Sequence, residues 1–323
     1  MPGEIPEPEG GARGLGSPPV GSWLRVGGTR LALERSGSAG PAVIFLPGAG
    51  LIGLDYLNLH RQVSQFTTSV IYDRAGTGWS DPIELPRPAT EVVSELRALL
   101  GTAQIRPPWV LVGHSLGGAY ARLFAQLFPA EIAGLVLLDP AHEAYLSLPR
   151  PSLLAQLRQA IAFLGIWIRF NQVYRPLFDT MFAQWPGPLR ELLVRYHLKH
   201  WRVSLREARN LRSEVLDQIR VGGKLSSAPL IVLTAMGIDP FMELVTPREQ
   251  LRQLNRRKLA FYTDFAASVT GGENRPIEHA GHSTIHTDRP DAVIQAIQDV
   301  LERARATGRT SGFVMKTIEA AEM

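Results

Sequence analysis

The chain has 323 residues, 45% apolar and 20% charged, with a mean hydropathy near zero, so it can bury a large core, and disordered, collagen-like and coiled-coil readings are excluded. Cysteine is absent, which removes disulfides, thiolate nucleophiles and thiolate zinc sites together. The net charge of +4 comes without Lys/Arg blocks interleaved with aromatics, so no nucleic-acid partner is expected.

Residues 1–20 are rich in Pro, Gly and Glu and lack both a basic start and an apolar run, so they read as a disordered leader and not as a secretory signal. The uncharged, mostly apolar run at 41–54 is broken by Pro47, Gly48, Gly50 and Gly53. It falls short of the ~20 residues that a membrane helix needs. A cytoplasmic protein without a transmembrane segment is the expectation.

Residues 23–26 and 29–34 read as two strands of a hairpin around Gly27-Gly28. Short, continuous apolar runs then appear at 43–46, 69–72, 109–112, 135–138 and 230–233. Runs apolar on both faces suit strands buried in a parallel sheet. Between them, 91–100 places Val92, Val93, Leu96, Leu99 and Leu100 on one side, and 116–128 does the same with Ala119, Leu123, Phe124 and Leu127 before Pro129. Strand alternating with helix predicts an α/β protein with a mostly parallel, doubly wound sheet.

The alternation stops after Asp139 and resumes at Leu230. Residues 141–228 look helical between Pro and Gly interruptions, which predicts a helical cap inserted after the sixth strand. The expected organisation is a leader at 1–20, a core at 21–140 and 229–305, a cap at 141–228 and a tail at 306–323. The cap holds 13 Lys and Arg against 6 Asp and Glu, and ten of the 25 aromatics. It is therefore the basic and aromatic part of an otherwise unremarkable chain.

Gly113-His114-Ser115-Leu116-Gly117 matches G-x-S-x-G between a predicted strand and a predicted helix. A nucleophile on such a tight turn needs small neighbours because other backbone passes close by, and Gly113, Gly117 and Gly118 supply them. The helix start brings partial positive charge and the Leu116 N–H toward a developing oxyanion.

With these residues the chain resembles the α/β-hydrolase family over residues 23–305. Leu46-Pro47-Gly48-Ala49-Gly50 resembles its oxyanion loop, with Pro47 where a His often stands. The resemblance implies that the Ala49 N–H is the second oxyanion donor. The turn Tyr72-Asp73-Arg74-Ala75-Gly76-Thr77-Gly78-Trp79-Ser80-Asp81 is similar to the family's D-x-R-G-x-G-x-S turn, and Asp73 with Arg74 reads as a buried structural pair. Ala280-Gly281-His282, followed by Asp288-Arg289-Pro290 and an amphipathic helix, resembles its catalytic-histidine segment.

A serine hydroxyl needs a base, so a histidine must come within hydrogen-bond reach. Of the eight histidines, His60 and His142 read as loop or surface residues, His197 and His200 as ordinary helix residues, and His114 as pointing away from Ser115, which leaves His279, His282 and His286. His282 follows a candidate strand at 275–277 and a glycine turn, with His286 next in line. Two aspartates at strand ends compete for the role of acid. Asp139 lies in Leu138-Asp139-Pro140, as in a bacterial subgroup of the family, and Asp239 lies in Gly237-Ile238-Asp239-Pro240. The sequence leans slightly to Asp139 and leaves the choice open. His282 and His286 do not read as a zinc site, since no Glu adjoins the first His, and no dinucleotide fingerprint is present. No metal or cofactor is expected.

In the cap, Leu153, Leu154, Leu157, Ile161, Leu164 and Ile168 recur at helical spacing beside Phe163 and Trp167. This face covers either the sheet or, with Phe170, Tyr174, Phe178, Phe182 and Trp185, an apolar pocket over Ser115. Arg195, Lys199, Arg202, Arg206, Arg209 and Arg212 form either a solvated face or an attractor of anionic esters or acidic membrane. The resemblance implies a serine hydrolase that cleaves a small or medium carboxylic ester, with lactone, amide, carbon–carbon and cofactor-free haloperoxidase chemistry as variants. The rival is a protein of the same fold that holds a ligand without turnover. A serine at the turn, where an aspartate would be needed, disfavours alkyl-enzyme chemistry.

Overall fold

An apolar run with no polar face has to be covered on both sides, and the computed structural model covers it that way. Residues 16–147, 165–166, 168–225 and 227–309 are described. Eight strands form one sheet: β1 (Ser22–Val26), β2 (Thr29–Ser36), β3 (Val43–Leu46), β4 (Ser69–Tyr72), β5 (Trp109–His114), β6 (Ile132–Leu138), β7 (Leu230–Ala235) and β8 (Glu273–Ile277). Their spatial order is β1-β2-β4-β3-β5-β6-β7-β8. β2 runs antiparallel to both its neighbours, and β4 through β8 pair in parallel.

Each central strand feeds two cores. Ile44, Leu46, Leu111, Leu135, Leu137 and Val232 point to one face, where helices Ala89–Thr102, Leu116–Leu127 and Arg248–Ala267 pack. Val43, Phe45, Val112, Val136, Leu138 and Leu233 point to the other, where Leu57–Val63 and Pro290–Ala306 pack. The period of two is thus present in the strands but masked in sequence, because both faces are apolar.

Helix Arg248–Ala267 escapes the apolar-period signal for an instructive reason. Its buried stripe is Leu251, Asn255, Lys258, Tyr262 and Ala266, a helical spacing in which two of the five residues are polar. Between β6 and β7 run the helices Phe170–Met181, Gly187–His200, Arg202–Glu207 and Leu216–Val221. The predicted stripe at 153–164 lies outside the described residues, with Phe163 and Trp167, and so do most of the leader and tail. Among the described residues no helix is long and apolar enough to cross a membrane.

Candidate active site

Ser115 stands between the last residue of β5 and the first of helix Leu116–Leu127, at φ 50° and ψ −115°. This left-handed conformation is costly for a residue with a Cβ and needs surroundings that enforce it. Backbone on both sides does so: Ser115 N donates to Leu138 O at 3.0 Å, and Ser115 O accepts from Ala141 N at 2.8 Å. The two glycines of the motif allow the close approach. A Cβ on Gly117 would lie 2.1 Å from Leu46 O, and one on Gly113 would lie 2.6 Å from Gly117 O.

His282, in the loop after β8, places Nε2 3.0 Å from Ser115 Oγ and Nδ1 2.6 Å from Asp139 Oδ2. Asp139 follows β6 directly and has φ 43°. Its Oδ1 accepts from Ala235 N at 3.1 Å, and its Oδ2 also takes Lys258 Nζ at 2.7 Å. Burial would push this carboxyl up, but the Lys258 charge and the His282 bond outweigh it and hold the group down at about 2. Asp239 is also buried but reaches no imidazole. Its Oδ1 accepts from Phe241 N at 2.9 Å and Met242 N at 2.8 Å, and its Oδ2 accepts from Ser283 N. The chain therefore brings Ser115, His282 and Asp139 into one hydrogen-bonded line and gives Asp239 a loop-fastening task.

The loop Pro47–Gly50 is pinned at Pro47 O, at both polar backbone atoms of Gly48 and at Gly50 N. Arg74 donates to Pro47 O at 2.7 Å and to Gly48 O at 2.9 Å. Tyr56 Oη accepts from Gly48 N at 3.3 Å, and Glu207 accepts from Gly50 N at 2.7 Å. The Ala49 and Leu116 N–H groups donate to nothing among the described residues. Here one expectation needs correcting: the partner of Arg74 is Glu207, at 2.9 Å, not Asp73. Asp73 instead accepts from Trp79 N in its own loop and from Gly53 N in the segment after β3, at 2.8 Å each.

Both ring nitrogens of His114 are engaged away from the Ser115 hydroxyl, and they link two parts of the site. Its Nε2 donates to His282 O at 2.7 Å, which leaves Nδ1 to accept from Tyr56 Oη at 2.7 Å. Burial, followed by the neighbouring His282, lowers it to about 4, so the neutral tautomer persists. His60 and His142 are buried as well, so neither is a surface residue; His60 lies on helix Leu57–Val63, whereas His142 does lie in a loop. His60 Nδ1 meets Ser69 Oγ at 2.9 Å, and the His142 ring stacks on Phe261. His197, on helix Gly187–His200, sits 3.0 Å from Asp55. His286 is buried against Tyr56 and does not reach Ser115.

A cavity of about 440 Å³ opens over Ser115 and His282, and Phe170, Tyr174 and Phe178 line it with Trp201, Phe241 and Met242. Among its described lining residues there is no Asp, Glu, Lys or Arg. Phe182 is not on its wall. That ring is wholly buried, stacked on Phe178 and His197 and edge-on to Trp185, one turn too far along the helix to face the opening. A smaller cavity of about 240 Å³ reaches Ser115 and His282 from the side of Asp139, Lys258 and Arg212. Arg195, Lys199, Arg202, Arg206, Arg209 and Arg212 are all exposed, and of these only Arg212 borders either cavity.

A serine on a strand-to-helix turn, facing a histidine at the far end of a parallel sheet, defines an α/β-hydrolase architecture. The chain matches the alpha/beta hydrolase family over residues 43–296 and belongs to it. The uncharacterised protein YqjL of Bacillus subtilis (strain 168) is 36% identical over 108 residues, which is 33% of this chain and 43% of YqjL. The match thus spans less than half the length of that relative. Among solved structures, the enol-lactonase from Burkholderia xenovorans LB400 superposes with a TM-score of 0.59 at 18% identity, covering 87% of this chain and 99% of its own. A thermophilic esterase from Thermogutta terrifontis gives 0.54 at 18% identity, covering 88% and 99%. At these identities the likeness is one of fold.

Proposed function

We propose that the protein is a serine hydrolase acting on a small or medium carboxylic ester with an apolar acyl group. The observation that carries this reading is the line from Ser115 Oγ to His282 Nε2 at 3.0 Å and from His282 Nδ1 to Asp139 Oδ2 at 2.6 Å, beneath an apolar cavity. Ser115 attacks the carbonyl carbon while His282 takes its proton and then delivers it to the departing alcohol. Water, deprotonated by His282, releases the acid from the acyl-enzyme. Asp139 holds the imidazole in the tautomer whose Nε2 is free to accept. The Ala49 and Leu116 N–H groups stabilise the oxyanion, an assignment supported by their lack of any other partner among the described residues.

The segment 141–228 acts as the cap, since Phe170, Tyr174, Phe178 and Trp201 form one wall of the larger cavity. The lining formed by the described residues is uncharged and favours neutral over anionic esters, so the exposed basic residues read as a solvated face. Enol-lactone and ester cleavage, for which the two structural neighbours are named, both begin with carbonyl attack and fit the same residues. The test is a series of p-nitrophenyl esters of graded acyl length, with fluorophosphonate labelling run beside the Ser115→Ala variant. Labelling of Ser115 and ester turnover, both lost in Ser115→Ala, are expected. A folded wild-type protein that neither labels nor turns over would favour a ligand-holding role.

A further inference from the structure

Asp139 does not serve His282 alone. Lys258 Nζ lies 2.7 Å from Asp139 Oδ2, the same oxygen that meets His282 Nδ1 at 2.6 Å, and its second bond, at 3.0 Å, goes to Ala235 O at the end of β7. The side chains of Lys258 and Asp139 are 3% and 0% exposed. Removing two such charges from water costs several kcal/mol each, and a buried pair persists only where geometry and further hydrogen bonds compensate.

Besides Lys258, the bond to His282 Nδ1 at 2.6 Å and the Ala235 N–H at 3.1 Å also favour the charged carboxylate, but they come from an imidazole and a peptide, while Arg212, on the same cavity, is exposed. His282 reaches it from the loop after β8, and His114 and Ser115 lie beyond at the end of β5. Tyr145 and Tyr262, joined Oη to Oη at 3.0 Å, add neutral hydroxyls, while Asp239 adds a like charge from the loop after β7. A histidine that is to accept the Ser115 proton brings no cation of its own at that stage. The ammonium of Lys258 is then the one cation in direct contact with the carboxylate among the described residues.

Taking the proposed function as given, we propose that Lys258 is a positioning residue: it is the buried counter-ion that keeps Asp139 ionised and turned toward His282 between turnovers. Lys258 does not touch the reacting atoms and acts only through Asp139. Without it, burial dominates and Asp139 takes up a proton at higher pH. A protonated Asp139 cannot stabilise the imidazolium that forms when Ser115 attacks.

The test compares Lys258→Met and Lys258→Arg in the full chain. With a p-nitrophenyl ester, Lys258→Met is expected to lose on the order of 10- to 100-fold in kcat with little change in KM, and its acid limb should move up by about one pH unit. Lys258→Arg, which keeps the cation, should recover most of the loss and restore the limb. A Lys258→Met enzyme with the wild-type limb and kcat would overturn the proposal.

A stability cycle reads the pairing without any activity. Asp139→Asn strands a buried cation, so adding Lys258→Met in that background should raise the melting temperature by about 3 °C or more, whereas the same change in the wild type lowers it. Additive shifts would overturn the pairing. If the wild type neither labels nor turns over, the hydrolase reading falls, and the cycle still decides the pairing.

Discussion

β6 and β7 lie side by side, and each delivers a buried aspartate just beyond its end, yet the two carboxylates do different work. Asp139 follows β6 without a spacer, and its oxygens meet an imidazole, an ammonium and a single backbone N–H. Asp239 stands four residues past β7, far enough for its own loop to fold back, and it takes three backbone N–H groups instead. A short tether leaves a carboxylate facing the sheet's edge, where distant side chains gather; a longer one lets local turn chemistry claim it first.

The sharpest way to break this contrast is to remove each charge in turn. Asp139→Asn should lower kcat by a factor on the order of 10⁴, because the amide holds His282 in the wrong tautomer and cannot stabilise its cation. Asp239→Asn should cost no more than about tenfold, since an amide oxygen can still accept two of its three bonds. Steady-state kinetics on one ester decide it, and equal losses would erase the distinction between the two strand ends.

Asp139 was legible in the sequence as a candidate but not as the choice. What separates it from Asp239 is contact with residues 119 and 143 positions away, and no local pattern encodes that. Ser115 and His282 were legible because each lies in a turn whose glycines the geometry demands, such as Gly117 against Leu46 O. Lys258 and Glu207 were not. Lys258 hides in a helix whose buried stripe is partly polar, and Glu207 is one carboxylate in a basic segment, with nothing nearby to show that it meets Arg74 and Gly50. For Lys258 the signal existed, since the spacing 251-255-258-262-266 is helical once polar residues are admitted to it.

The next effect concerns stability and separates the carboxylate from the histidines around it. His60, His114 and His142 are each lowered to about 4, chiefly by burial, so the folded protein favours their neutral forms. Their contribution is complete above about pH 6.5 and is lost as pH falls toward 4, at up to about 1.4 kcal/mol per pH unit for each group. Asp139, held at about 2, contributes above about pH 4 and loses that contribution only below it. Urea midpoints should therefore fall between pH 6.5 and 4 in wild type and Asp139→Asn alike. A wild-type midpoint flat down to pH 4 would sink this ordering.

The smallest effect tests the loop-fastening role directly. Asp239 holds the N–H groups of Phe241 and Met242, whose side chains form part of the larger cavity's wall, and that of Ser283 beside His282. Weakening those bonds should loosen the wall more than the reacting line. Asp239→Asn is accordingly expected to raise KM a few-fold and to flatten the preference among acyl lengths, because one or two methylenes in an apolar pocket are worth only about 1–3 kcal/mol to begin with. Ser115 should still label with a fluorophosphonate at close to the wild-type rate. An unchanged acyl profile with a collapsed labelling rate would mean that Asp239 acts on His282 after all, through Ser283, and that the two strand ends share one task.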